Sequence, residues 1–361
     1  MDKKEPLIRI RRKDNRSFRE KVVIKIIFIL LALLLAALFI NLVTHLNPLD
    51  VYSSMFRGAF GTKRRTWITI RDTAFLVCIA VGLTPAFRMK FWNIGAEGQI
   101  LIGGLVSAAL MIYFGNTVST PVLLVISFIA SAIAGALWAL LPAYFKAKYN
   151  TNETLFTLMM NYVAIQVIEF FVDVWDKKQS HSVGIINSDT RGGWFPAIFG
   201  QQYILNIVIV LLITVFVYIY LRYTKHGYEV AVTGESENTA RYTGINVGHV
   251  IVRTMLLSGA ICGIAGFIEV CGISHTISVK TAGGKGFTAI IVAWLAKLNP
   301  FLIIIYSFLI VFLDKGAIQI ASDFNFNEYA SHVVTGIMLF CILASDFFEN
   351  YEIVFRHKEG K

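Results

Sequence analysis

Apolar residues in this chain come in long runs broken by short polar stretches, with no strand-like alternation of apolar and polar positions. A run of roughly 17 to 25 apolar residues crosses the hydrocarbon core of a bilayer as a helix. Ten such segments can be counted: 22–46, 67–87, 97–114, 121–145, 154–174, 203–222, 251–272, 287–297, 301–321 and 331–348. The eighth is too short to cross alone. The pattern therefore predicts an all-α protein, a polytopic transmembrane helix bundle of about ten segments in which some helices are broken or short.

Composition sharpens this reading. The 361 residues are 56% hydrophobic and 16% charged, with a mean hydropathy of +0.64, so a bilayer must serve as solvent. The net charge of +10 does not point to nucleic acid, because nine basic residues crowd between Lys3 and Lys21. Cytoplasmic flanks collect Lys and Arg, which face anionic membrane lipid. The chain thus divides into a basic cytoplasmic segment at 1–21, a membrane domain at 22–348 with a cytoplasmic loop at 223–250, and a cytoplasmic tail at 349–361. No small-residue cleavage site follows the first span, so it reads as an uncleaved anchor in a bacterial inner membrane. With both termini inside, cytoplasmic loops hold about twice as many Lys and Arg as external ones. The cluster Lys63, Arg64 and Arg65 falls outside against that trend.

The four cysteines lie in apolar segments without redox or metal-ligand spacing, and the seven histidines form no zinc pattern. No nucleophile and base pairing is visible either, so no metal, cofactor or enzymatic activity is expected.

Polar groups at lipid depth must face protein or a water-filled cavity and are functional candidates. Three stretches carry them. The first, Asn93-Ile94-Gly95-Ala96-Glu97-Gly98-Gln99, flanks a carboxylate with glycines at a helix start, as in a broken helix beside a pathway. Glu97 either bonds to solute or braces a neighbouring helix. In the second, Glu153, Thr157 and Asn161 stack along one helix face at a spacing of four. They either line the path or cap and tie helices, with capping favoured for Asn152 and Glu153. The third, Gly283-Gly284-Lys285-Gly286-Phe287-Thr288, opens the short segment and lacks the spacing of a nucleotide loop. Paired interrupted spans often meet at a transport site, so the two glycine-rich openings are expected to pair. Asn93, Glu97, Gln99, Thr157, Asn161, Phe287 and Thr288 are the pathway candidates. Small residues at 258–266, among them Gly259, Gly263 and Gly266, read as close helix packing.

The loop at 223–250 contains a further short helix. Ser236 suits its N-cap, Glu237 the positive end of its dipole, and Gly244 its left-handed stop. A soluble partner gripping such a helix would move the attached spans.

These residues resemble the permease subunits of ATP-binding cassette importers of the branched-chain amino acid, ribose and nucleoside class, in particular the nucleoside branch. Asn93 to Gln99 looks like that branch's N-I-G-A-E-G-Q signature, and Asn152-Glu153 with Thr157 to Tyr162 is similar to its N-E and T-L-M-L-N-Y segment. Glu237 to Ile245 resembles the helix that couples to the ATPase, and Gly286 to Pro300 the late segment. The matches span about 80 to 316. Trp92 and Lys90 depart from the Phe and Gly usual there. The resemblance implies a permease domain forming half of a translocation pathway, with a second permease subunit in a heterodimer. It also implies a cytoplasmic ABC ATPase that performs all hydrolysis, an extracytoplasmic solute-binding lipoprotein, and coupling through Glu237, Asn238, Ala240, Arg241 and Gly244. Nucleosides, purine nucleosides first, are the implied solutes, with ribose or another simple sugar as the alternative. An ion-coupled secondary transporter is the competing class.

Overall fold

A computed structural model of the protein describes residues 8–12, 17–44, 47–176, 183–324 and 328–355. In chain order these form β1 (Ile8–Arg12), α1 (Phe18–Thr44), α2 (Pro48–Phe60), α3 (Lys63–Arg88), α4 (Ala96–Phe114), α5 (Thr120–Tyr149) and α6 (Glu153–Trp175). There follow α7 (Ile204–Tyr223), α8 (Lys225–Glu235), α9 (Glu237–Tyr242) and α10 (Val247–Glu269), which runs into a π-helical turn (Val270–Ser274). The chain continues through α11 (Lys285–Leu295), α12 (Pro300–Phe324), α13 (Glu328–Asn350) and β2 (Tyr351–Phe355).

Among the described residues eight helices are long and apolar enough to cross a membrane: α1, α3 to α7, α10 with its π turn, and α12. Helix α13 has comparable length at 23 residues. At 11 residues, α11 reaches about 16 Å, roughly half of a bilayer core. Each of the ten expected segments corresponds to a helix, so the protein is an all-α, multi-pass membrane protein.

Hydropathy runs missed three features. Helix α2, capped by the Asn47 side chain and opened by Pro48, is amphipathic and too short for a span search. Helix α8 occupies what read as plain loop. The two flanks at 1–21 and 349–361 are also not independent, because β1 and β2 pair antiparallel, from Ile8 opposite Phe355 to Arg12 opposite Tyr351. This pairing brings the two ends of the chain side by side. Parts of both flanks, 1–7, 13–16 and 356–361, lie outside the described residues, as do 177–182 of the loop before α7.

The chain forms two compact units, 1–69 with 309–361, and 70–308. In the first, α1 packs on α13, and α2 lies against α12 so closely that a Cβ on Gly58 would sit 2.7 Å from the Lys315 carbonyl. Its core gathers Ala32, Ala36, Ile40, Val51, Met55 and Met338.

The second unit is organised around α4, α5 and α10. A Cβ on Gly263 would lie 2.2 Å from the Ser131 carbonyl, and one on Gly103 would lie 2.4 Å from the Gly263 carbonyl. The small residues at 258–266 therefore set helix separation, as their spacing indicated. The loop before α7 is tied down over this core. Asn187 donates its amide to the Met111 and Gly192 carbonyls (2.7 and 2.9 Å), and Trp194 stacks on His275.

Candidate functional site

Helix α3 ends at Arg88, and the chain turns at Lys90, whose φ is +60°. It then runs irregularly to Ala96, leaving backbone groups that α3 and α4 cannot satisfy. Side chains satisfy them instead. Asn93, fully buried, accepts from Gly95 N (3.0 Å) and Gln99 Nε2 (3.3 Å) and donates to Ser258 Oγ on α10 (3.3 Å). From α6, Asn161 clamps the same stretch at two points. It accepts from Gly98 N (2.8 Å) and donates to the Ile94 carbonyl (2.9 Å). One turn earlier, Thr157 Oγ1 accepts from Ile94 N (3.2 Å) and donates to its own helix at Glu153 O (2.8 Å). Below them Asn152 caps α6 through Leu155 N, and Glu153 pairs with Lys146 at 3.0 Å.

Glu97 reaches in the other direction. Its carboxylate accepts from Gly284 N (2.7 Å) and Gly286 N (2.9 Å) and so caps α11 from a different helix. Gly283 and Gly284 both have positive φ, and a Cβ on Gly286 would fall 2.7 Å from Glu97 N. The two glycine-rich openings thus meet in direct contact, as their pairing predicted. Helix α11 then follows the second half of α3. Lys285 lies over the Phe75 ring (4.7 Å), and the Trp294 ring is 5.9 Å from Phe87.

Asn93, Glu97, Gln99, Thr157 and Asn161 are buried and spend their polar atoms on the backbone or on one another. They build the break. Thr288 is half-buried and donates to Gly284 O (3.3 Å), whereas Phe287 is 43% exposed. On the same helix face Ile291 and Trp294 are also exposed, and Trp294 stacks on the exposed Trp92 at 5.1 Å and 19°.

On the loop at 223–250, Ser236 Oγ accepts from Thr239 N and caps α9, and Gly244 ends it at φ +81°. Glu237, Asn238 and Arg241 face solvent, with Glu237 and Arg241 paired at 3.8 Å, while Ala240 is buried against the protein. Helix α8 anchors this element. Gly234 packs on the end of α3, where a Cβ would fall 2.1 Å from the Arg88 carbonyl, and Glu229 pairs with Arg253 of α10 (2.9 Å). Burial raises the Glu229 pKa, but Arg253, His226 and Lys225 outweigh it and hold the carboxyl below its usual range. A cavity of about 260 Å³, lined by Lys90, Lys146, Glu153, Glu235 and Glu237 among others, separates α9 from the α3–α4 break.

The profile of the family described as branched-chain amino acid transport system, permease component, matches residues 67–343. The chain belongs to this family. It is similar to the guanosine ABC transporter permease protein NupP of Bacillus subtilis, 27% identical over 90% of this permease and 93% of that protein. It is also similar to the glucose ABC transporter permease protein TsgB13 of Haloferax volcanii (24%, covering 86% and 84%). A third relative is the nucleoside ABC transporter permease protein NupB of Lactococcus lactis (26%, covering 89% and 90%). No solved structure matches the permease significantly. It is a transport subunit.

Inspection of the sequence passed over a second set of charges in the permease. Arg71 and Asp72 on α3 pair at 2.7 Å, and Arg71 also lies over the Tyr203 ring at the start of α7 (5.0 Å). Glu269, at the end of α10, is buried with Lys285, Arg71 and Asp72 as its charged neighbours. The signal was present: Glu269 is the one carboxylate in the apolar run 251–272.

Proposed function

We propose that this permease is one of two permease subunits of an ATP-driven importer that carries nucleosides, purine nucleosides foremost, across the bacterial inner membrane. Helix α11 carries this reading. A half-length helix whose start is held by a carboxylate of another helix is irregular backbone of the kind membranes tolerate beside a transport path. Its exposed face of Phe287, Ile291 and Trp294 forms the wall of that path. The end-to-end likeness to the guanosine and nucleoside permeases supports the solute class, and the glucose permease among the relatives makes a simple sugar the second reading.

A cytoplasmic ATPase grips α9 at Glu237, Asn238 and Arg241, with Gly244 ending the helix and Ala240 seating it. The movement passes through Gly234 and Arg88 to the break. A second permease subunit completes the path, and an extracytoplasmic solute-binding lipoprotein delivers the solute. Both termini lie in the cytoplasm, in keeping with the pairing of β1 and β2 and with the charge bias. Access switches because the ATPase binds the two cavity states with different affinity.

The test is uptake of labelled guanosine by vesicles holding the full complex. ATP-dependent uptake that glucose and ribose do not compete away is the expected result. Accumulation driven by a proton gradient without ATP rejects the importer, and uptake of sugar alone rejects the nucleoside.

A further inference from the structure

Five ionisable side chains converge where α3, α4, α10 and α11 meet: Arg71, Asp72, Glu97, Glu269 and Lys285. Charges at this depth are expensive and mark solute or ion routes. Two carboxylates are already matched, Asp72 by Arg71 at 2.7 Å and Glu97 by the amides of Gly284 and Gly286. Glu269 differs. It is 7% exposed, and its Oε2 is buried without a hydrogen-bond partner among the described residues. A buried acceptor left this way is destabilising, more so when charged, so its retention asks for a donor that arrives from elsewhere.

A second observation marks the same place. Directly after Glu269 the helix widens into the π-helical turn Val270–Ser274, a distortion frequent at functional sites. Against that turn Asn206 of α7 donates to the Gly272 carbonyl at 3.3 Å, and its own Oδ1 is buried without a hydrogen-bond partner among the described residues. Lys285, over the Phe75 ring, supplies the adjacent positive donor.

We propose that Glu269 and Lys285 form the polar contact for the transported solute, binding a neutral group that donates and accepts hydrogen bonds side by side. This rests on the nucleoside reading above. Within a nucleoside two groups have that chemistry, the ribose diol and the N–H and C=O edge of a guanine-type base. Either places its donors on Glu269 and an oxygen toward Lys285. An anionic solute is disfavoured, because three carboxylates face two cations.

The test compares Glu269→Gln with the unaltered complex for uptake of guanosine, 2′,3′-dideoxyguanosine and adenosine, with co-purification of all subunits as the assembly control. Loss of a hydrogen bond to a charged group raises KM about tenfold or more. If the diol is bound, KM rises for guanosine and adenosine but stays within about twofold for dideoxyguanosine. If the base edge is bound, it rises for guanosine and dideoxyguanosine and not for adenosine. Glu269→Asp restores part of the affinity in either case. KM values within about twofold for all three solutes, or a fall in kcat alone, overturn the proposal. Should Glu269→Gln fail to assemble, Lys285→Gln must give the same solute pattern or the proposal is rejected. An unaltered complex that takes up no nucleoside defeats the earlier functional reading instead.

Discussion

The two breaks in the 70–308 unit are built from similar sequence and put to different use. The first, at 89–98, is closed on itself. Asn93 within the break and Thr157 and Asn161 of α6 answer its backbone groups, and Gln99 of α4 and Ser258 of α10 hold the Asn93 side chain. The second, at 275–286, is tied at its start by the Ile186 N–H on the His275 carbonyl and by Trp194 stacked on His275, and at its end by Glu97; α11 then presents Phe287, Ile291 and Trp294 outward, and Glu269 Oε2 has no hydrogen-bond partner among the described residues. A break that is fully satisfied is a fixed support. One that leaves an apolar face exposed and a buried acceptor unanswered has groups left to bind with.

The comparison is most exposed to failure at its hinge. Glu97→Ala strands the amides of Gly284 and Gly286 in an apolar setting, and at about 1–3 kcal/mol for each buried donor it should cost about 2–6 kcal/mol. Thermal unfolding of the purified complex in detergent should show this as a large fall in midpoint with α11 released. A midpoint unchanged within error means that the carboxylate does not hold the helix.

Asn161→Ala tests the closed break. It frees Gly98 N and Ile94 O together, with an expected loss of about 2 kcal/mol and no solute preference altered once the protein is folded. A changed ratio of guanosine to adenosine uptake in the folded variant would turn the support into a contact. Trp294→Ala probes the open break and should do the reverse. The exposed ring loses its stacking on Trp92, about 1 kcal/mol, while KM for nucleosides rises. An unaltered KM removes α11 from the wall of the path.

The smallest effect is expected at the α8 anchor. The Glu229 carboxyl is held below its ordinary range, so its contribution is present above that range and lost as pH falls through the lowered value. Protection of the α8 amides, corrected for the intrinsic pH dependence of hydrogen exchange, should therefore be flat from pH 8 to about pH 5 and fall only below the usual carboxylate region. Arg253→Ala should move that onset upward. An onset near neutrality in the unaltered protein contradicts the pairing.

Much of this could be read before any coordinates. The ten helical segments followed from run length, because a bilayer leaves helices as the economical way to bury backbone. The Ser236 cap and the Gly244 stop followed from local chemistry, which involves only neighbouring residues. The meeting of the two glycine-rich openings was anticipated, although which atoms would meet was not. Helix α2 escaped because its apolar positions are periodic and not continuous, and α8 because its helix is stabilised by packing of Gly234 and Glu229 on other elements.

Whether a buried polar side chain faces solute or backbone is a different kind of question. The types and spacing of Asn93, Glu97, Gln99, Thr157 and Asn161 marked them as internal and polar, and that much was local. Their partners lie up to 189 residues away, and packing in three dimensions brought these polar atoms to backbone and side-chain partners while leaving Glu269 Oε2 without one among the described residues. Local chemistry sets what a residue can bond to; only the packed helices set what is left for it to bond.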